Sequence, residues 1–148
     1  MTRRRSMTLR FFALAAMAGL SVAAAGPLAA ETVRYGATLS GFAQVPPNEG
    51  AGTGTVEATL DSETNAFTYT ITYSGLTGPA VAAHFHGPAA ADANAPPVIG
   101  MKDTASPISG SAVLTAAQVE DLKAGRWYFN VHTKDNPGGE IRGQIVAQ

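Results

Sequence analysis

The segment from Phe67 to Tyr73 alternates without a break between large apolar side chains at odd positions and threonine at even positions. In a β-strand, a period of two sends the apolar set to one face and the threonines to the other. Similar short segments recur at about ten-residue spacing, separated by turns rich in glycine, proline and asparagine. The chain is therefore predicted to be all-β, an antiparallel Greek-key sandwich or flattened barrel with one short helix.

The one predicted helix has recognisable ends. Thr115 is a good N-cap, and Gln118 stands where it completes a capping box. Leu114 and Val119 have the spacing of a hydrophobic staple, and Gly125 is expected to end the helix in a left-handed conformation. The predicted strands cover residues 32–42, 52–60, 67–73, 80–86, 98–101, 108–114, 126–133 and 140–147.

The first thirty residues have the pattern of an export signal. Four arginines give a basic start, residues 11–25 form an apolar run, and small residues precede Glu31. The run is short for a membrane span, and we predict cleavage after Ala30 by the general secretory route, with an uncleaved anchor as the alternative. The expected organisation is a signal peptide over 1–30 and one domain over 31–148, located in the periplasm or secreted.

Loss of that segment changes the charge of the chain. The full sequence has 10 basic and 11 acidic residues, and four of the basic residues lie in the signal, so the remaining domain carries a net charge of −5. An acidic domain without interleaved basic and aromatic residues is not expected to bind nucleic acid or an anionic membrane. The absence of cysteine excludes disulfides, thiolate metal ligands and lipidation at a cysteine.

All three histidines lie in two strand segments. His84 and His86 flank Phe85, so alternation places both imidazoles on one face and the phenyl ring on the other. In the later strand, alternate residues from Trp127 onward are predicted to face the core, which leaves His132 on the opposite face. If the two strands are neighbours, three imidazoles converge, a donor set that suits copper, zinc or nickel, with Cu(II) bound most tightly. The competing interpretation is three ordinary polar strand residues.

Three further residues are candidates for supporting such a site. Tyr128 and Asn130 share the predicted face of His132, where either could orient an imidazole through its second nitrogen; the alternative is that both are plain surface residues. Arg142 lies on the last strand and is expected to act as a positive guide beside the site or as a donor to it. The competing role for Arg142 is a surface ion pair with Glu140.

Three stretches of the sequence, taken together and in order, resemble the chordin-type domain called CHRD. They are residues 39–47, residues 82–87 and a longer stretch over residues 127–145. The combination spans nearly the whole of the predicted domain. The resemblance implies an immunoglobulin-like or related β-sandwich and little about biochemical activity. In chordin, such domains belong to an extracellular protein that binds growth factors.

A second similarity, weaker than the first, is to copper–zinc superoxide dismutases. Residues 75–77 followed by His84 and His86 are similar to the segment that supplies two copper ligands in those enzymes, and the residues around His132 are similar to a segment that supplies a later one. Arg142 resembles the arginine that guides their anionic substrate. This chain has no fourth histidine and no cysteine. The ligand count therefore excludes a dinuclear copper–zinc site and leaves a mononuclear copper site open.

These observations lead to three functional hypotheses. The first is an exported binding module that holds a single copper ion through its three histidines. The second is a metal-free interaction domain of the envelope or extracellular space, with a protein partner. The third is a copper-only enzyme that acts on superoxide, with Arg142 attracting the anion. No motif beyond these residues argues for turnover, so a binding role is favoured over an enzyme.

Overall fold

The computed structural model describes residues 31–148, and in that range the chain forms nine strands, one 3-10 turn and one short helix. The predicted export signal over residues 1–30 lies outside the described residues. The strands are β1 (Thr32–Ser40), β2 (Thr53–Asp61), β3 (Ala66–Ser74), β4 (Ala80–His86), β5 (Pro97–Gly100), β6 (Ile108–Val113), β7 (Tyr128–Thr133), β8 (Ile141–Gln144) and β9 (Val146–Ala147), and the helix is α1 (Ala116–Lys123).

The strands form one antiparallel sheet in the order β5-β4-β7-β8-β1-β2-β3-β6, with β9 paired to β1. Strands that are distant in sequence are neighbours in space, such as β4 with β7 and β1 with β8, which is the kind of crossover that a Greek key requires. The sheet curls into a nearly closed barrel or flattened sandwich with a single short helix. The predicted fold class is therefore confirmed.

The core is filled by the inward faces of the alternating strands. Phe67 of β3 lies against Phe85 of β4 with ring centroids 5.3 Å apart, and Phe85 lies against Phe129 of β7 at 4.8 Å. All three rings are fully buried, and burial of each contributes roughly 2–3 kcal/mol to stability. Because Phe85 and Phe129 point inward, the residues on either side of them point outward. The core thus fixes the face on which the histidines lie.

The helix begins and ends as the sequence predicts. The backbone N–H of Gln118 donates to the Thr115 hydroxyl at 3.3 Å, and the backbone N–H of Thr115 donates to the Gln118 side chain at 2.9 Å. Gly125 follows the helix with a φ of 67°, a left-handed value that glycine adopts without steric cost. Leu114 and Val119 are both buried in the core, where the predicted staple places them.

Four strands are shorter than predicted; β6 is shorter by one residue and β7 by two, each at one end. The first ends at Ser40 and continues into the 3-10 turn Gly41–Ala43, and the last divides at Ile145 into β8 and β9. The side chain of Ile145 is buried in the core while its N–H donates to the Trp127 carbonyl at 2.8 Å. This contact interrupts the ladder that simple alternation predicts. Within residues 31–148, no helix has the length and apolarity that a membrane crossing requires.

Candidate metal centre

Pairing of β4 with β7 brings the three histidines together. In the register of this pair, His84 lies opposite Asn130 and His132 lies opposite Ala82, so the two imidazoles are diagonal neighbours on one face. Their nearest nitrogens, Nδ1 of His84 and Nε2 of His132, are 3.3 Å apart. One ring nitrogen of His86 completes a group in which all three ligand atoms lie within 4.8 Å of one another.

Two of the three rings are oriented by backbone carbonyls. Nδ1 of His86 lies 2.9 Å from the carbonyl oxygen of Ala95, and Nδ1 of His132 lies 3.0 Å from that of Pro137. A carbonyl oxygen only accepts, so each Nδ1 carries the proton and donates it. In the neutral rings the lone pair is therefore on Nε2. A histidine that donates one N–H to a carbonyl and offers the other nitrogen has the arrangement usual for metal ligands.

Of the remaining ring nitrogens, one has no partner in the described part of the chain and two face each other. Nε2 of His86 is buried and has no hydrogen-bond partner among the described residues. Nδ1 of His84 faces Nε2 of His132, which is an acceptor when the ring is neutral. Without a metal, a proton on His84 Nδ1 satisfies this contact. Two nitrogens bound to one metal at about 2.0–2.1 Å in a tetrahedral arrangement are about 3.3–3.4 Å apart, which matches the separation of this pair. The whole group spans up to 4.8 Å, so its outermost nitrogens would have to move closer together to bind one ion.

Burial and neighbouring groups favour the neutral imidazoles of His84 and His86. Burial lowers the pKa of His84, and the neighbouring His132 lowers it further. Burial also lowers the pKa of His86; the hydrogen bond to Ala95 opposes this shift, while the two other histidines and Arg142 add to it. Neutral imidazole is the form that binds a metal ion. The cluster is therefore ready to bind near neutral pH without first losing protons from these two rings.

Tyr128 supports His86 through stacking. The two rings are parallel to within 3°, with centroids 4.8 Å apart. The phenol hydroxyl donates to the carbonyl of Ala95 at 3.2 Å, and the N–H of Ala95 lies 3.1 Å from the phenol oxygen. Tyr128 and His86 thus share one carbonyl acceptor. Tyr128 was expected to hydrogen-bond an imidazole or to lie on the surface; it is buried and contacts the ring by stacking instead.

Arg142 supports the loop that contacts His86. Its side chain is only 1% exposed, and its guanidinium carbon lies 3.5 Å from the centroid of the Tyr128 ring. The guanidinium donates to the carbonyls of Ala90 and Ala93 and to the side-chain oxygen of Asn94, at 2.8–3.3 Å. These acceptors lie in the loop that also contains Ala95.

The alternative role considered for Arg142, a surface ion pair with Glu140, is wrong. Both side chains are buried, and each binds different neutral partners. Arg142 binds oxygens of the loop at residues 90–94, whereas Glu140 binds the hydroxyls of Thr77 and Thr133. The ion-pair expectation failed because a strand face that points away from the core was taken to be open to solvent.

The chain matches a known family of protein domains. The family model for the CHRD domain matches residues 35–145. This chain belongs to the CHRD domain family. No curated protein and no solved structure matches it. CHRD domains occur in extracellular and secreted proteins, which supports an extracellular or envelope type of domain here.

Asn130 of this CHRD domain holds a turn, and its side chain contacts no imidazole nitrogen. Its side-chain oxygen accepts from Nε2 of Gln44 at 2.8 Å, and its amide donates to the carbonyl of Gly138 at 3.4 Å. Gly139 has a φ of 122°, and a Cβ there would lie 2.2 Å from the Asn130 side-chain oxygen. Only glycine fits at this position. The close approach fixes the turn whose Pro137 carbonyl orients His132.

Sequence reasoning missed the groups that orient the rings of this CHRD domain. The carbonyls of Ala95 and Pro137 are backbone groups, and every residue carries one, so no residue type signals their role. The loop at residues 87–97 begins next to His86, and loops at strand ends often shape sites, but nothing in its sequence distinguishes Ala95 from the other alanines. Glu140 was also missed, because its burial arises from tertiary contacts.

Proposed function

We propose that this CHRD domain is an exported binding protein that holds a single copper ion through His84, His86 and His132. The observation that carries the proposal is the combination of convergence and orientation. Three imidazoles meet on one face, two are fixed by carbonyls through Nδ1, and the buried Nε2 of His86 is left without a partner. Buried polar atoms are normally paired, and a metal ion would supply the missing partner of His86 Nε2. Within residues 31–148, Trp127 Nε1 and Gln144 Oε1 are also buried without a partner, so the proposal depends on the convergence of the three rings and not on this nitrogen alone.

The donor set favours copper over other cations. Imidazole nitrogen binds copper, zinc and nickel, and Cu(II) has the highest affinity among divalent ions of the series. The cluster contains no carboxylate oxygen, which makes it a poor site for magnesium or calcium. Outside the cytosol, such a site would meet copper without competition from cytosolic chelators. The expected roles are storage, delivery or protection.

The experiment that tests this function is a metal titration with matched variants. The metal-free protein is titrated with Cu(II), Cu(I) and Zn(II), and the titration is repeated with His84→Ala and His132→Ala. We expect one copper ion per chain in the wild type and loss of that binding in both variants. Lys134→Ala is the control, because Lys134 is exposed and lies two residues from His132. Melting curves establish that each variant is folded.

Two results would contradict the copper proposal. Equal weak copper binding by the wild type and both histidine variants would leave the metal-free interaction domain of the envelope or extracellular space. Tight binding of Zn(II) with weak binding of both copper ions would keep the site and change its metal. The same wild-type and variant proteins distinguish a metal-free domain from a zinc site.

The position of Arg142 favours a binding role over the enzyme hypothesis. A guide for superoxide needs a guanidinium that faces the approaching anion, whereas the Arg142 side chain is 1% exposed and its N–H groups bind loop oxygens. A superoxide assay of the copper-loaded protein separates the two roles. We expect no activity once a chelator has removed free copper, and activity that persists with the chelator present would support the enzyme.

A further inference from the structure

Glu140 is a buried carboxylate that accepts hydrogen bonds from four neutral donors. Its side chain is 0% exposed. The backbone N–H of Thr77 donates to Oε1 at 2.7 Å, and the hydroxyls of Thr77 and Thr133 donate to Oε2 at 2.7 and 2.6 Å. The side-chain amide of Asn136 adds a fourth contact at 3.2 Å. These hydrogen bonds lower the pKa of Glu140 and outweigh the effect of burial.

No cation accompanies this charge among the described residues. The two ion pairs found in residues 31–148 are Lys123 with Glu120 and Arg126 with Asp121, and neither involves Glu140. Buried charges in proteins are normally paired or bound to a metal, because transfer of an isolated charge from water is unfavourable. A carboxylate at this position therefore calls for a role that an apolar or neutral residue would not fill.

The partners of Glu140 lie at the ends of both strands that carry histidines. Thr133 directly follows His132 at the end of β7, and Thr77 lies in the loop that leads into β4. Asn136 lies in the turn over residues 134–139, where its carbonyl accepts from the N–H groups of Thr133 and Gly139. The same turn presents the Pro137 carbonyl to Nδ1 of His132. The carboxylate is thus the common anchor of the turn and of the loop.

We infer that Glu140 is a positioning residue of the metal centre. It holds the 134–139 turn against the end of β7, so that the Pro137 carbonyl keeps the His132 ring protonated on Nδ1 and directs Nε2 towards His84. Its effect on copper binding rests on the function proposed above, whereas its effect on the His132 ring is present in the metal-free protein as well.

The substitution Glu140→Gln removes this anchor with little change in shape. An amide placed at Oε2 is a donor facing the side-chain amide of Asn136, which is also a donor. The two threonine hydroxyls can rotate to accept from the new amide. Asn136 can accept from it only by turning its side-chain amide over, which replaces the donor that it presents to those hydroxyls with an acceptor. This rearrangement is expected to weaken the contact between Asn136 and the new side chain, and so to loosen the turn and with it the Pro137 carbonyl.

The test combines histidine NMR of the metal-free protein with copper titration. In protein carrying ¹⁵N-labelled histidine, the ring nitrogens of His132 report which one holds the proton. We expect the Nδ1–H form in the wild type and a mixture of both forms in Glu140→Gln. Copper affinity is expected to fall roughly 10–100-fold, the usual cost of losing a group that orients a ligand. Glu57→Gln is the control, since it makes the same chemical change at an exposed strand position.

A second variant covers the case in which Glu140→Gln does not fold. Asn136→Ala removes one contact to the carboxylate and leaves the two threonines in place, so the buried charge keeps most of its donors. It is expected to give the same mixed His132 signal and the same direction of affinity change. A merely structural role for Glu140 would lower the melting temperature and leave the His132 signal unchanged.

The two proposals fail in different ways. Failure of the wild type to bind copper overturns the proposed function, and the His132 signals still decide whether Glu140 positions the ring. Wild-type His132 signals and wild-type copper affinity in both folded variants would overturn the positioning role while leaving the copper site intact.

Discussion

The two halves of the sheet use their outer faces differently. The hydroxyl half, formed by β1, β2, β3 and β6, pairs in unbroken registers, and its outer face is exposed. Thr70 there contacts Ser109 at 3.2 Å. The histidine half, formed by β4, β5, β7 and β8, has register shifts between Ala80 and Ala82 and between Phe85 and His86. Its outer face is largely buried.

The difference comes from what covers each outer face. Both halves send alternate apolar residues into the same core. In the histidine half, the loop at residues 87–96 and the turn at residues 134–139 fold over the outer face as well, so that Tyr128, Asn130 and Arg142 are buried there. Polar groups enclosed in this way must find partners, and loop carbonyls supply them. Because the loop and the turn cover the outer face of the histidine half, polar side chains that would otherwise be exposed are buried and held by hydrogen bonds.

The largest expected contrast is between two arginines, one in each half. Arg142→Met removes a buried guanidinium that serves three loop oxygens, and at about 1 kcal/mol or more for each unsatisfied acceptor we expect the free energy of unfolding to fall by about 3–4 kcal/mol. Arg34→Met, at an exposed position of β1, should change it by no more than about 0.5 kcal/mol. Urea unfolding of both variants measures the difference. Similar losses in the two variants would show that a substitution on the covered outer face costs no more stability than one on the exposed outer face.

Copper binding is expected to stabilise the histidine half selectively. A ligand that binds only the folded state adds about 2.7 kcal/mol at a concentration one hundred times its dissociation constant. Hydrogen exchange should show slower local opening for amides of β4 and β7, with smaller changes in the hydroxyl half. His132→Ala is the control in which copper should have no effect. Equal protection of both halves would mean that copper acts on global unfolding alone.

The sequence predicts the faces of the strands better than it predicts what covers the histidine half. Alternation correctly assigns Phe85 and Phe129 to the core and the histidines to the other face, because a strand's period is local information. It does not establish that β7 lies beside β4, which is a tertiary property and decides whether His132 meets His84. The burial of Arg142 was also missed, since a residue facing away from the core is exposed unless a loop covers it.

Glu140 should make the stability of the histidine half depend on acid. Its pKa in the folded protein lies below the ordinary value of 4.5, so the folded state holds fewer protons than the unfolded state between those values. Stability from this group is then fully present above pH 4.5 and is lost as the pH falls through the lowered pKa. Glu140→Gln is expected to flatten this acid limb and to cost about 2 kcal/mol at neutral pH from mismatched hydrogen bonds.

The measurement is urea unfolding of the wild type and the variant at several pH values between 2 and 7 (roughly the range in which carboxyl groups titrate). Glu57→Gln is the matched control in the hydroxyl half, and its acid limb should follow that of the wild type. A Glu140→Gln profile parallel to the wild type throughout would show that the buried carboxylate does not ionise as its contacts indicate.

The smallest effect is expected on the open face of the hydroxyl half. Thr70→Val removes one exposed hydroxyl contact with Ser109 and keeps a β-branched side chain of similar size, so strand propensity is preserved. We expect a change in the free energy of unfolding within about 0.5 kcal/mol and an unchanged copper affinity, both measurable by the titrations already described. Alternation alone predicts that Thr70 lies on the exposed face, so this variant tests the part of the molecule that the sequence predicts best. A loss of more than about 1 kcal/mol is above the usual range for a cross-strand pair and would mean that the hydroxyls of this face act together. The two outer faces would then differ in the kind of polar group they carry, and burial by loops would not be what distinguishes them.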